Sequence, residues 1–137
     1  MKKLIIITIF LLVSCKSLNY NVGYSEKKLP KNLEHVQSKF LNKIHQQWDI
    51  EFEYSFNKTK ILIYADNKII ANDTITTNEN WSLAATYHIP KNLKKIKVVI
   101  DKKTLFIPLK KEYPFVYISK KRDDIYVEYA KSLKLRL

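Results

Sequence analysis

The chain has 137 residues, with 25 Lys or Arg against 13 Asp or Glu, so its formal net charge is +12. Only Arg122 and Arg136 are arginines, the side chain suited to forked contacts with phosphates and bases, so we expect no nucleic-acid partner and at most weak attraction to anionic lipid or cell-wall polymers. The single glycine excludes glycine-rich phosphate loops and Gly-x-Ser-x-Gly elbows, and the single cysteine excludes an intrachain disulfide.

The first fifteen residues have the layout of a secretory signal. Met1, Lys2 and Lys3 give a short positive start, residues 4–13 are apolar, and a small residue, Ser14, precedes the only cysteine. As a helix, the apolar run would span only ~15 Å, about half the ~30 Å hydrocarbon core of a bilayer. We therefore expect residues 1–14 to be a signal peptide rather than a permanent membrane span.

Leu12-Val13-Ser14-Cys15 also resembles the lipobox of bacterial lipoproteins. The resemblance covers the first fifteen residues and implies that the Cys15 thiol receives a diacylglyceryl group, that the signal is cut before it, and that the new amino terminus is acylated as well. Cys15 would then attach the protein permanently to a membrane of the cell envelope. The alternatives are a simple secretory signal whose cysteine is coincidental and an N-terminal anchor that is never cleaved.

The residues after the cysteine indicate which membrane, and which face of it, would hold the lipid anchor. They begin with Lys16 and Ser17 rather than with an acidic run, which argues against surface export by that route, and residue 16 is not the Asp that retains some lipoproteins in the inner membrane. The sequence thus predicts the periplasmic face of the outer membrane.

Residues 15–28 are interpreted as the lipidated cysteine and a flexible tether, since they are polar, lack a hydrophobic period and include the only glycine, Gly23. Residues 29–137 are interpreted as one globular domain. It begins with an amphipathic helix over residues 31–48, whose apolar residues lie within an arc of ~140° at 100° per residue. We expect this stripe to pack on the domain core, although an amphipathic helix could also lie on a membrane.

From residue 49 onward the hydrophobic period is two. Strands are predicted at residues 50–56, 60–76 (a hairpin turning at Asp66-Asn67), 82–89, 95–100, 104–109, 115–119 and 125–130, with a ninth possible at 133–137. Short strands with short turns predict a mainly β domain, an antiparallel β-sandwich of about eight or nine strands with immunoglobulin-like or transthyretin-like architecture. Pro108 should lie at a sheet edge or in a bulge, because it cannot donate to a ladder.

The candidate site residues are few. Asp49, Glu51 and Glu53 alternate along one strand, so their carboxylates could bind a cation or act as an acid/base pair, but the more ordinary interpretation is a solvent-exposed face paired with lysines. Tyr117 and Tyr126 are surface candidates. They belong to an aromatic group in the C-terminal hairpin that could stack on sugars or bind protein, or could simply fill the core. The group comprises Tyr113, Phe115, Tyr117, Tyr126 and Tyr129.

The remaining sequence patterns say less about function. His35 and His45 are ~15 Å apart along a helix, so they cannot hold one metal ion, and His88 stands apart from them. Asp73-Thr74-Ile75 resembles a short acceptor pattern for O-glycosylation. No catalytic constellation occurs, so we expect no enzyme, cofactor or metal. The leading hypothesis is a membrane-anchored accessory or assembly domain that binds another envelope protein; the alternative is a glycan-binding or enzyme-inhibitory, immunity-type lipoprotein.

Overall fold

The computed structural model describes residues 19–27 and 47–134. These residues form nine strands and no helix. The strands are β1 (Asn21–Ser25), β2 (Gln47–Phe52), β3 (Thr59–Ala65), β4 (Lys68–Ile75), β5 (Ala85–Pro90), β6 (Lys95–Ile100), β7 (Lys103–Pro108), β8 (Phe115–Lys121) and β9 (Asp124–Ala130). The mainly β prediction is confirmed for the described residues.

The strands lie in two sheets. The five-stranded sheet has the order β1-β9-β8-β2-β5, and the four-stranded sheet has the order β4-β3-β6-β7. The four-stranded sheet is antiparallel throughout, but β1 pairs with β9 and β2 pairs with β8 in parallel. The prediction of a wholly antiparallel fold is therefore wrong. Short turns require antiparallel pairing only between consecutive strands, and these two pairs join strands that are far apart in the chain.

The predicted hairpins form where the turn residues allow them. Asp66 and Asn67 link β3 to β4 with φ of 49° and 66°, the left-handed conformation that a tight two-residue hairpin turn needs. Asp101 (φ 53°) opens the β6–β7 turn, and Arg122 (φ 57°) opens the β8–β9 turn. Asp and Asn tolerate this conformation better than most residues, so two of the three turns form without glycine at little cost.

One hydrophobic core is built from both sheets. In every strand that faces it, inward residues alternate with outward ones, as the period of two predicts. The fully buried core includes Trp48, Ile50 and Phe52 of β2, Ile61 and Ile63 of β3, Val98 of β6, Leu105 and Ile107 of β7, Val116 and Ile118 of β8, and Val127 and Tyr129 of β9. Each such side chain contributes roughly 1.5–3 kcal/mol, so this core stabilises the domain without a disulfide.

Two boundaries predicted from the sequence are wrong. Residues 21–25 are not part of a flexible tether, because they form β1 and pair with β9 from Asn21↔Tyr126 to Ser25↔Ala130. Gln47 and Trp48 do not end a helix, because they begin β2. The rest of the predicted helix, residues 31–46, lies outside the described residues, as do residues 1–18 and 135–137. Leu133 and Lys134, the described part of the possible ninth strand, are not in a strand.

The edge strand β7 is covered by side chains from β9 and from the two residues before β1. The Tyr20 hydroxyl donates to the Phe106 carbonyl at 2.7 Å, and the Tyr129 hydroxyl donates to the Pro108 carbonyl at 2.7 Å. Asn19 Nδ2 donates to the Thr104 carbonyl. Three alternate carbonyls of an edge strand thus have donors, which protects the edge from pairing with another chain. Of the two places predicted for Pro108, a sheet edge or a bulge, the structure shows the edge, since β7 ends its sheet among the described residues.

Candidate functional site

The three carboxylates singled out in the sequence lie on the outer face of the five-stranded sheet. Because Trp48, Ile50 and Phe52 point into the core, Asp49 and Glu51 of β2 point to the opposite face, and Glu53 follows them. Their residues are only 4 %, 6 % and 1 % exposed. The expectation of a solvent-exposed acidic surface is therefore wrong for all three, since both faces of this central strand are covered.

Sheet pairing brings further polar groups to this face. Asp49 is opposite His88 on β5 and Phe115 on β8. Glu51 is opposite Tyr117 on β8, and Tyr117 is in turn opposite Glu128 on β9. We call the set Asp49, Glu51, Glu53, Tyr117 and Glu128 the acidic face.

The chain that follows β9 folds back over the acidic face. Lys134 Nζ lies 2.9 Å from Glu53 Oε1 and 3.5 Å from Glu128 Oε2, and 4.4 Å above the Tyr117 ring. The Lys134 backbone N–H donates to the Tyr117 hydroxyl at 2.8 Å. Leu133 packs on a small apolar cluster that contains Tyr117. One lysine thus contacts Glu53, which directly follows β2, Tyr117 of β8 and Glu128 of β9.

Burial governs the chemistry of this face. Desolvation raises the pKa of Tyr117 above its ordinary value of 10.0; the nearby carboxylates Glu51, Asp49 and Glu53 raise it further, and the hydrogen bond from Lys134 lowers it. The tyrosine is neutral at physiological pH. Asp49 Oδ1 lies 3.8 Å from His88 Nδ1, which forms an ion pair only when the histidine is protonated.

The acidic face does not have the form of an open reaction site. Its three most buried carboxylates are each less than a tenth exposed, so a dissolved substrate does not reach them in this arrangement. Within residues 19–27 and 47–134, no three His, Cys, Asp or Glu side chains are placed to hold one metal ion. Three members of the acidic face, Glu53, Tyr117 and Glu128, tie the C-terminal segment to the sheet.

The aromatic group of the C-terminal hairpin does not form the surface considered from the sequence. Phe115, Tyr117 and Tyr129 are 1 % exposed, and Tyr113 is half-buried against the core. Tyr126 is 41 % exposed, so of the two tyrosine surface candidates only Tyr126 lies at the surface. Tyr117 is buried, as the core interpretation expects, but it lies in the small apolar cluster on the outer face rather than in the core between the sheets.

The exposed apolar side chains lie elsewhere, in a pattern that the sequence did not single out. On the outer face of the four-stranded sheet, sheet pairing places Ile69, Tyr64, Lys97 and Phe106 side by side across β4, β3, β6 and β7. Phe106 is 62 % and Ile69 is 50 % exposed, and Lys97 Nζ lies 4.5 Å from the Tyr64 ring centre. We call these four residues the aromatic row. The alternating pattern within each strand predicts that these side chains point outward, but it does not predict that they are neighbours across four strands.

The predicted glycosylation pattern lies on β4. Thr74 is exposed, Ile75 is buried, and the Asp73 carboxylate accepts a hydrogen bond of 2.6 Å from the Tyr87 hydroxyl of β5. That bond joins the two sheets at the edge opposite β7. Asp73 therefore has a structural role independent of any modification.

The described residues include no helix long and apolar enough to cross a membrane. No protein-family model matches the chain, and no curated protein is significantly similar to it in sequence.

Proposed function

We propose that this protein is a lipid-anchored, non-enzymatic domain of the bacterial cell envelope that binds another envelope protein as an accessory or assembly subunit. Cys15 is the lipid attachment point, and the periplasmic face of the outer membrane is the location. In this proposal the two sheets form a β-sandwich of immunoglobulin-like or transthyretin-like type, with the amphipathic segment upstream of β2 packed on the domain.

The observation that carries the binding role is the exposed apolar surface on β4. Ile69 and Ile70 are 50 % and 40 % exposed on a strand that ends its sheet among the described residues. A register shift between Ile63 and Tyr64 leaves Ile70 without an opposite residue in the ladder. Long edge strands with exposed aliphatic side chains are the places where proteins accept another strand or an apolar partner surface.

The partner chemistry follows from this surface. A protein segment in extended conformation could hydrogen-bond along β4 and place apolar side chains against Ile69 and Ile70. Catalysis is a weaker interpretation, because the acidic face is buried and joined to Lys134. A glycan-binding role is weaker as well, because the tyrosines considered for sugar stacking are mostly buried. An enzyme-inhibitory role would use the same surface, and the identity of the partner decides it.

The binding proposal is tested by site-specific photocrosslinking in intact envelopes. A photoreactive residue at position 69 should give a discrete crosslinked species with one protein, and the same probe at Tyr126, also exposed but on the other sheet, should not. Ile69→Asp should abolish recovery of that protein, whereas Tyr126→Asp should leave it unchanged. Crosslinks of equal intensity from both positions, or from neither, would contradict a binding surface on β4. Recovery of an enzyme whose activity falls on binding would assign the inhibitory role.

The anchor is tested separately. Cys15→Ser should abolish metabolic labelling with a fatty acid and release the protein from membranes. A Cys15→Ser variant that remains labelled would contradict the proposed lipid attachment at Cys15.

A further inference from the structure

We propose that one end of the domain, formed by the β6–β7 and β8–β9 turns with Phe106 beside them, rests on anionic lipid head groups. This inference rests on the proposed lipid anchor at Cys15 and adds an orientation to it. It is carried by the chain length between the anchor and the fold, and by the charge and exposure of the side chains at that end.

The anchor lies close to the domain. Only three residues separate Cys15 from Asn19, whose side chain donates to the Thr104 carbonyl of β7. The next residue, Tyr20, is 7 % exposed and is held to the Phe106 carbonyl by its hydroxyl. Four Cα–Cα steps span at most ~14 Å, so a lipidated Cys15 keeps Asn19 within that distance of the head groups, and the start of β7 one asparagine side chain farther.

The same end of the fold carries two adjacent turns. Thr104 is the second residue of β7, next to the β6–β7 turn. Lys103 Nζ donates to the Asp123 carbonyl at 3.3 Å, and Lys120 Nζ lies 4.0 Å from Asp101 Oδ2, so the β6–β7 and β8–β9 turns are close together. The anchor therefore holds both turns near the membrane.

The charge of these turns fits an anionic surface. The two turns and the strand residues next to them contain five basic residues and three acidic ones, and several of the basic side chains are exposed. The basic residues are Lys102, Lys103, Lys120, Lys121 and Arg122, and the acidic residues are Asp101, Asp123 and Asp124. Basic side chains near an anionic bilayer are attracted to it over about a Debye length, ~8 Å at physiological salt.

Phe106 supplies the apolar contact. It is 62 % exposed on the outer face of β7, two residues from Thr104. Aromatic rings are favoured at the boundary between head groups and acyl chains. Ile69 is level with Phe106 along the strands but lies three strands away across the sheet, ~14 Å at the usual strand spacing. The proposed contact is therefore made by the β7 side of this end and leaves Ile69 to the proposed protein partner.

The test uses the lipidated full-length product in vesicles of phosphatidylethanolamine that contain phosphatidylglycerol. Cys15 is the only cysteine, so once it is acylated an introduced cysteine is the only reactive thiol. A fluorophore on Phe106→Cys or on Lys102→Cys should be quenched by nitroxide-labelled head groups. A fluorophore on Lys111→Cys, exposed beyond the far end of β7, should not. Equal quenching at all three positions, or at none, would overturn the proposed orientation.

A charge-matched pair of variants separates a specific contact from general attraction. Lys102→Glu with Lys121→Glu should lower the ratio of docked to undocked protein, read from quenching at position 106, by at least about 30-fold, because two attractions are lost and two repulsions are added. Lys94→Glu with Lys111→Glu changes the net charge equally at exposed positions near the other end and should leave the ratio nearly unchanged. Equal losses for the two pairs would overturn the contact. If Cys15 itself reacts with the fluorophore, the lipid anchor has failed, which is a different result from an anchored domain whose turns are not quenched.

Discussion

Tyr20 offers the sharpest test of where the folded domain begins. If residues 16–28 were a tether, substitutions there would leave stability unchanged. The structure instead buries Tyr20 to 7 % exposure and bonds its hydroxyl to the Phe106 carbonyl at 2.7 Å. Tyr20→Phe removes only the hydroxyl and should cost about 1 kcal/mol. Tyr20→Ala also removes the buried ring and should cost about 3–4 kcal/mol.

The assay is urea and thermal unfolding of the lipidated protein in detergent. At roughly 4 °C per kcal/mol for a domain of this size, Tyr20→Phe should lower Tm by about 4 °C and Tyr20→Ala by more than about 10 °C. Tyr126 is the matched control, because it is 41 % exposed and lies opposite Asn21 in the same sheet. Tyr126→Phe and Tyr126→Ala should each change stability by less than about 1 kcal/mol. If Tyr20→Ala is no more destabilising than Tyr126→Ala, then β1 is not part of the fold. The proposed short link between Cys15 and the folded domain would then be contradicted as well.

Two further predictions concern the acidic face and the buried tyrosines. Lys134→Met keeps an apolar stem over the Tyr117 ring but removes the ion pair with Glu53. It should lower the free energy of unfolding in urea by about 2 kcal/mol, less than for a fully buried pair, because Lys134 is 31 % exposed. Lys131→Met removes an equally short but exposed pair and should cost under about 0.5 kcal/mol; equal losses from the two lysines would contradict a structural role for Lys134. Burial raises the pKa of Tyr117 and Tyr129 in the folded domain, so above pH ~10 the unfolded chain releases these protons first. Stability should therefore be intact below pH ~10 and fall above it by up to about 1.4 kcal/mol per pH unit for each tyrosine; Tyr129→Phe should make the fall shallower, and an unchanged slope would contradict the assignment.

The orientation proposed here gives the two sheet edges different tasks. The β7 edge lies next to the short link to Cys15 and has its carbonyls covered by Asn19, Tyr20 and Tyr129. The β4 edge is at the other side of the same sheet and exposes Ile69. A domain that rests on the turn end of β7 would present the β4 edge to proteins of the periplasm.

Local pattern was enough to predict most of the strands. Alternating burial and turn residues that tolerate positive φ are properties of neighbouring residues, so the hairpin at Asp66-Asn67 and strand β6 at residues 95–100 could be predicted directly. The missing donor of Pro108 restricted it to a sheet edge or a bulge, and the strand order shows that it lies at an edge. Strand β1 was missed although Val22 and Tyr24 alternate with polar residues and glycine. Only two apolar residues recur within Asn21–Ser25 and both stay exposed, so this strand depends on its pairing with β9.

Pairing between distant strands decided the rest. The sequence by itself determined a mainly β chain with one cysteine after a short apolar run, because composition and hydrophobic period are properties of neighbouring residues. It could not determine that Glu51 and Tyr117 are buried neighbours, or that Phe106 and Ile69 share an exposed face, because such neighbours come from register between strands far apart in the chain. Acidic residues at alternate positions look solvated until a second layer covers them, and only the tertiary structure shows Lys134 folded over that face.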